Sequence, residues 1–195
     1  GDDKDVDTRR AHATYFLRLA EAAEAEFSGP ERGTWLARLR DDRDNLRAAL
    51  AWSLSAGEPA IALRLGAALW RFWVSEGALR EGRGWLERAL AAGGDVIPSA
   101  RAKALHHLGN LALDLGDHSR ARTLYEASLA IRRGLGDRYG IAACLNGLGI
   151  VALEEGEYAT AHQLHDEALA IRREIGDLAG EANSLFNLGR TATDR

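Results

Sequence analysis

The sequence predicts an all-α protein, a solenoid of stacked helical hairpins, and three observations carry that expectation. Ala, Leu, Arg and Glu dominate and only Pro30, Pro59 and Pro98 interrupt, so strong helix formers run almost without a break. Sliding the chain on itself by forty residues superposes 101–140 on 141–180 with 17 of 40 positions identical, among them Leu105/Leu145, Gly109/Gly149, Leu129/Leu169 and Gly136/Gly176. Within each copy the apolar residues fall at helical spacing. Glycine-carboxylate pairs such as Gly116-Asp117 and Gly136-Asp137 supply a stop for one helix and an N-cap for the next.

Taken in order, residues 1–7 are acidic and are expected to form a disordered leader. Residues 8–57 form an N-terminal helical region. It begins with a helix over 8–27 whose apolar stripe is read as Ala11, Tyr15, Leu19 and Ala22, ended by Gly29-Pro30. A short helix over 31–39 and a longer one over 40–54 follow, closing at Ala56-Gly57. Residues 58–99 read as a diverged hairpin turning at Glu76-Gly77, and Gly93-Gly94-Asp95-Val96-Ile97-Pro98 is the most loop-like internal segment. The regular units are 100–140 and 141–180, and 181–195 repeats the first helix of a further unit through Ala182, Leu185, Leu188, Gly189 and Ala192. All five tryptophans, Trp35, Trp52, Trp70, Trp73 and Trp85, precede the regular units, marking the earlier part as a cap. The chain holds no methionine and breaks off inside a repeat, so it reads as part of a longer protein. One hairpin cannot bury its apolar stripe alone, so successive units stack around a continuous core.

Leu105-x2-Leu108-Gly109-x2-Ala112 followed by Ala121-x3-Tyr125 resembles the tetratricopeptide (TPR) repeat. Here Leu105 replaces the family's Trp, Ala112 its Tyr, and His165 the second unit's aromatic. The terminal Pro is missing and the period is 40 rather than about 34. The resemblance implies a right-handed α-solenoid, with first helices lining its concave side. Upstream, Asp44-Asn45-Leu46-Arg47-Ala48-Ala49-Leu50-Ala51-Trp52, Arg71-Phe72-Trp73 and Gly82-Arg83-Gly84-Trp85-Leu86-Glu87-Arg88-Ala89-Leu90 resemble the helical region after the nucleotide-binding and winged-helix domains of bacterial STAND-class ATPases. Those often carry an NB-ARC-type ATPase, and some are transcriptional regulators.

Composition excludes much else. The chain has 25 Lys+Arg against 29 Asp+Glu, net −4, so no global basic field favours nucleic acid. No apolar run reaches the ~20 residues that span a bilayer, and the lone Cys144 cannot form an internal disulfide; with its reducing-compartment signature the expected location is cytoplasmic. No phosphate-binding glycine loop or nucleophile elbow is present. His162-x2-His165 could face one way on a helix, but His165 fills the slot of Tyr125, and Cys144 sits where a small core residue belongs. Arg132, Arg133, Arg172 and Arg173 recur at helix ends, where the helix dipole and nearby carboxylates account for them. The expectation is therefore no enzyme: no catalytic, cofactor-binding or metal residues.

Recognition remains. First-helix positions off the packing stripe are Lys103, His106, Asn110 and Asp114, then Asn146, Ile150 and Glu154, then Asn183, Phe186, Asn187 and Arg190, and these are the expected concave-face partner-binding residues. The asparagines can bond an extended backbone. The family's carboxylate clamp is not reproduced, since only Asn110 matches it. The resemblance implies a protein-interaction and sensor module, the effector-sensing and assembly arm of a STAND-type regulator. The alternative is a free-standing adaptor that tethers proteins. Expected partners are a protein or peptide, the parent's own ATPase domain among them, or a small-molecule effector. No cofactor, nucleic acid or membrane is expected, and the last helix offers an apolar face for self-association.

Overall fold

The computed structural model describes residues 2–193, all helix and turn with no strand among them. It divides into two compact units, one ending at Ala104 and one beginning at Leu105.

The first unit holds α1 (Asp2–Glu26), α2 (Arg32–Asp41), α3 (Arg43–Ser55), α4 (Pro59–Ala68), α5 (Trp70–Ser75) and α6 (Leu79–Ala91). The segment expected to be a disordered leader is helical from Asp2, where α1 starts; Gly1, which the expectation also covered, lies outside the described residues. Carboxylates near a helix N-terminus suit its dipole, and the first turns are tied by the Asp5–Arg9 ion pair and by Thr8 Oγ1 donating to the Lys4 carbonyl. The buried stripe of α1 also differs from the sequence expectation. Ala13, Phe16, Leu17, Ala20 and Ala23 join Leu19 inside, while Ala11, Tyr15 and Ala22 face out. Both sets have helical spacing, and Phe16 with Leu17 buries more apolar surface than Tyr15 with alanines. Tyr15 instead stands over Phe16 and accepts a hydrogen bond from Arg38.

The segment over 58–94 is a hairpin whose first helix is broken at Leu69 into α4 and α5, with Gly57 and Gly77 taking positive φ at its two ends. Trp73 is the buried anchor. A Cβ built on Gly82 would lie 2.4 Å from its indole ring, so Gly82 is the space Trp73 occupies. We expect Gly82→Ala to cost about 2 kcal/mol through overpacking against a rigid ring. The check is urea unfolding followed by tryptophan fluorescence, and an unchanged midpoint would contradict it. Glu76 and Glu81 clamp this hairpin to the preceding helices through Arg40, Arg43 and Arg47, which hold both carboxyls below the usual range.

The second unit contains most of α7 (Pro98–Asp114), then α8 (His118–Leu135), α9 (Arg138–Glu154), α10 (Tyr158–Ile175) and α11 (Leu178–Thr193). Its helices end at Gly116, Gly136, Gly156 and Gly176, each with positive φ and each twenty residues from the next. Asp117, Asp137 and Asp177 then cap the following helices, accepting from the backbone N–H three residues on. Helix starts thus fall near 138 and 178, a few residues before the unit boundaries read from the repeat.

In each layer a ring from the second helix fills a space left by glycine. Tyr125 lies between Gly109 on α7 and Gly147 on α9, whose added Cβ atoms would come within 2.8 and 2.7 Å of it. Forty residues on, the buried His165 ring sits against Gly149 at 2.5 Å on the same measure. The basic helix ends are equally regular. Arg132 donates to Asp137 at 2.6 Å and to Ser128 at 3.2 Å, while the buried Arg172 donates to the Gly180 carbonyl and, at 3.0 Å, to Ser184. The hydroxyl has moved from α8 in one layer to α11 in the next, yet each arginine keeps one. Gly140 and Gly180 lack side chains where these guanidinium arms pass.

Candidate partner-binding face

Within the second unit the proposed face is a grid. Residues four apart share a helix face, so His106, Asn110 and Asp114 line α7. Asn146, Ile150 and Glu154 repeat the line on α9, and Phe186 and Arg190 on α11. Exposure along the grid is graded. Asp114, Glu154, Asn183 and Phe186 are exposed, whereas His106, Asn110, Asn146, Ile150 and Arg190 are half-buried.

Asn187 does not belong to the exposed set. It is 3% exposed and donates to Asn146 at 2.9 Å and to Asn183 at 3.3 Å, because its register is that of the packed Gly147 rather than of Asn146. Lys103 falls in the first unit, where its ammonium pairs with Glu24 of α1 at 2.5 Å.

Several half-buried groups are engaged internally. Asn110 accepts from the Tyr125 hydroxyl at 2.8 Å, and burial raises that phenol's pKa. His106 packs its ring against Tyr125 and lies 3.7 Å through Nδ1 from Cys144 Sγ, which donates to Ser128 at 3.3 Å. Burial, helped by Arg132, pushes the His106 imidazolium down to about 3, so the ring is neutral at physiological pH. Burial likewise raises the Cys144 thiol, leaving it a protonated core group rather than a nucleophile.

His165 has orphaned polar atoms that its place in the repeat did not reveal, since its two ring nitrogens have no hydrogen-bond partner. The signal was there in paired form. Tyr125 has Asn110 to receive its proton, but the positions forty residues on hold His165 and Ile150, and an isoleucine offers nothing. Burial and the cations of Arg172 and Arg190 push this imidazolium down to about 4. His162 points out instead, pairing with Asp166 at 2.9 Å, so the two histidines do not converge. Among the described residues no group of three or more His, Cys, Asp or Glu side chains is placed to hold a metal ion.

Residues 100–174 match the family model for the tetratricopeptide repeat. This segment is a tetratricopeptide-repeat array. Across 97% of the chain the fold is similar to BtubC (BKLC) of P. vanneervenii, with a TM-score of 0.67, 19% identity and 84% of that chain covered. A Podosopora anserina protein bearing the name kinesin light chain, with nearly identical TPR-like repeats, is similar over 94% of this chain and 87% of its own, at a TM-score of 0.67 and 17% identity. At those identities the likeness concerns the fold, an all-α TPR solenoid. Proteins of Mycobacterium bovis and Mycobacterium tuberculosis that are named as HTH-type transcriptional regulators are 33% identical over 90 residues, 46% of this chain. The chain covers about a tenth of the length of those relatives.

Proposed function

We propose that this TPR array is the partner-sensing and assembly arm of a longer bacterial signalling regulator of the STAND class, with an NB-ARC-type ATPase elsewhere in the same protein. The observation that carries the reading is the 33% identity to proteins named as transcriptional regulators, set beside a stacked array whose first helices carry polar and apolar groups not consumed by packing. The segment from Asp44 to Trp52 and its companions around Trp73 and Trp85 support the same parent type. A ligand preferring one arrangement of the arm shifts the parent between resting and assembled states by its difference in affinity for the two. The arm acts by recognition and not by chemistry: Cys144 and His106 are held protonated and neutral respectively, in packed surroundings. No helix among the described residues is long and apolar enough to cross a membrane, and the reading places the regulator in the cytoplasm.

The test uses exposed side chains whose internal ties, Glu154 to Arg190 and Asn183 to Asn187, are surface contacts worth little to stability. Asn183→Ala, Glu154→Gln and Phe186→Ala together alter exposed positions on α9 and α11. In the full-length regulator we expect this triple variant to lose at least tenfold in effector or partner affinity, with unchanged thermal unfolding of the arm. Full retention of binding and of effector-dependent ATPase activity would overturn the reading.

A further inference from the structure

The two repeats differ at one cross-helix ion pair, and the difference describes a ligand. On the later pair of first helices, Arg190 of α11 reaches back to Glu154 of α9, with Nη2 3.3 Å from Oε1. Shifted by forty residues, the same two positions are Ile150 on α9 and Asp114 on α7. The carboxylate is kept and the cation is replaced by an aliphatic side chain. Asp114 is exposed and forms no ion pair among the described residues, and partial desolvation of its carboxyl raises its pKa. Ile150, the register equivalent of Arg190 on α9, is half-buried, and Asn110 precedes Asp114 by one turn of α7.

We infer that a lysine or arginine side chain of a partner polypeptide docks at this place, its charge on Asp114 and its aliphatic stem along Ile150, doing from outside what Arg190 does for Glu154 from within. The inference rests on the reading of this face as a recognition surface and names the partner's chemistry there. Lysine and arginine side chains are suited to such a site because they lay a methylene stem on apolar surface while the charged head meets a carboxylate. No cation on the grid competes for Asp114. His106 is neutral, and Arg190 is engaged with Glu154. The sequence of the second unit, from Leu105 on, adds a general bias, since its acidic residues outnumber its basic ones while the first unit is balanced. A basic segment is therefore drawn to this unit at long range as well as held at contact.

The test is fluorescence anisotropy with two fluorescein-labelled, end-blocked nine-residue peptides, one of alternating Lys and Ala and one of alternating Glu and Ala. The chain is expected to bind the lysine peptide and not the glutamate peptide, more weakly as salt rises from 50 to 300 mM. Asp114→Asn should weaken lysine-peptide binding about tenfold. Ile150→Arg should do the same by supplying the cation internally, on the pattern of Arg190, and its thermal unfolding should stay at or above that of the parent chain. Glu126→Gln, an exposed carboxylate on α8, should leave binding unchanged. Equal binding of both peptides, or an undiminished affinity in both Asp114→Asn and Ile150→Arg, overturns the inference. If the triple variant on α9 and α11 still abolishes effector binding in the regulator, the recognition reading stands without it; if that too is unaffected, both fall.

Discussion

Tyr125→Ala is expected to unfold the second unit well before the first. The side chain is 1% exposed, fills the space between Gly109 and Gly147, and gives its hydroxyl proton to Asn110. Removing a buried aromatic of this kind costs about 4 kcal/mol, because the lost transfer energy is joined by a cavity that glycines on both sides cannot close. For a chain of this size that is a fall of about 10 °C in Tm. The tryptophans provide an internal control. All five lie in the first unit, so tryptophan fluorescence follows that unit alone, while far-UV circular dichroism follows helix in both. The dichroism midpoint should move markedly and the fluorescence midpoint less, since neighbouring repeats are coupled only through their interfaces. Equal shifts of both would mean that the chain unfolds as one cooperative body.

The second large effect is on pH. In the unfolded chain His165 takes up a proton around 6.5, whereas in the folded chain it does so only near 4. Between those values the unfolded state binds the extra proton, so its stabilising contribution is intact above about pH 6.5 and is lost as the pH falls toward 4. The groups that set the shift are known: burial first, then Arg172, Arg190 and His162 against the proton, with Asp166 alone favouring it. Over that range the second unit should lose about 3 kcal/mol from this one residue. His165→Leu retains much of the apolar volume and removes both orphaned nitrogens. Its unfolding free energy, followed by circular dichroism in urea, should be higher than wild type at pH 5 and should vary less between pH 7 and pH 4.5. A variant with the same pH slope as wild type would assign the acid sensitivity elsewhere.

How far the sequence could be read depended on whether the deciding contact was local. The hairpin ends were legible because Gly136-Asp137 and Gly176-Asp177 act within a few residues, one by adopting positive φ and the other by capping the next N–H groups. The slot shared by Tyr125 and His165 was legible because both occupy the same place in a forty-residue period. The buried face of α1 was not, since two sets of apolar residues have helical spacing and only packing against other helices chooses between them. Asn187 was misplaced for a related reason. Phe186 holds the register of His106 and Asn146, and the neighbouring asparagine turns inward to bond Asn146. Asn110 and Asn146 were read as free to bind a backbone, whereas the fold already engages both. The part of the proposed face left for a partner is accordingly narrower than composition implied: Asp114, Ile150 and Phe186 remain, with Glu154 and Asn183 exposed but already bonded to Arg190 and Asn187.

The central claim is that this inner set, and not the outward helices, recognises a protein partner. It is tested most directly by quantitative affinity capture from lysate of the source cells, comparing the wild-type chain with two variants of equal thermal stability. One carries Asn183→Ala, Glu154→Gln and Phe186→Ala; the other carries Glu126→Gln and Glu167→Gln on the exposed sides of α8 and α10. The account predicts a partner retained by wild type and by the second variant and lost from the first. A partner retained by the first variant and lost from the second would contradict it.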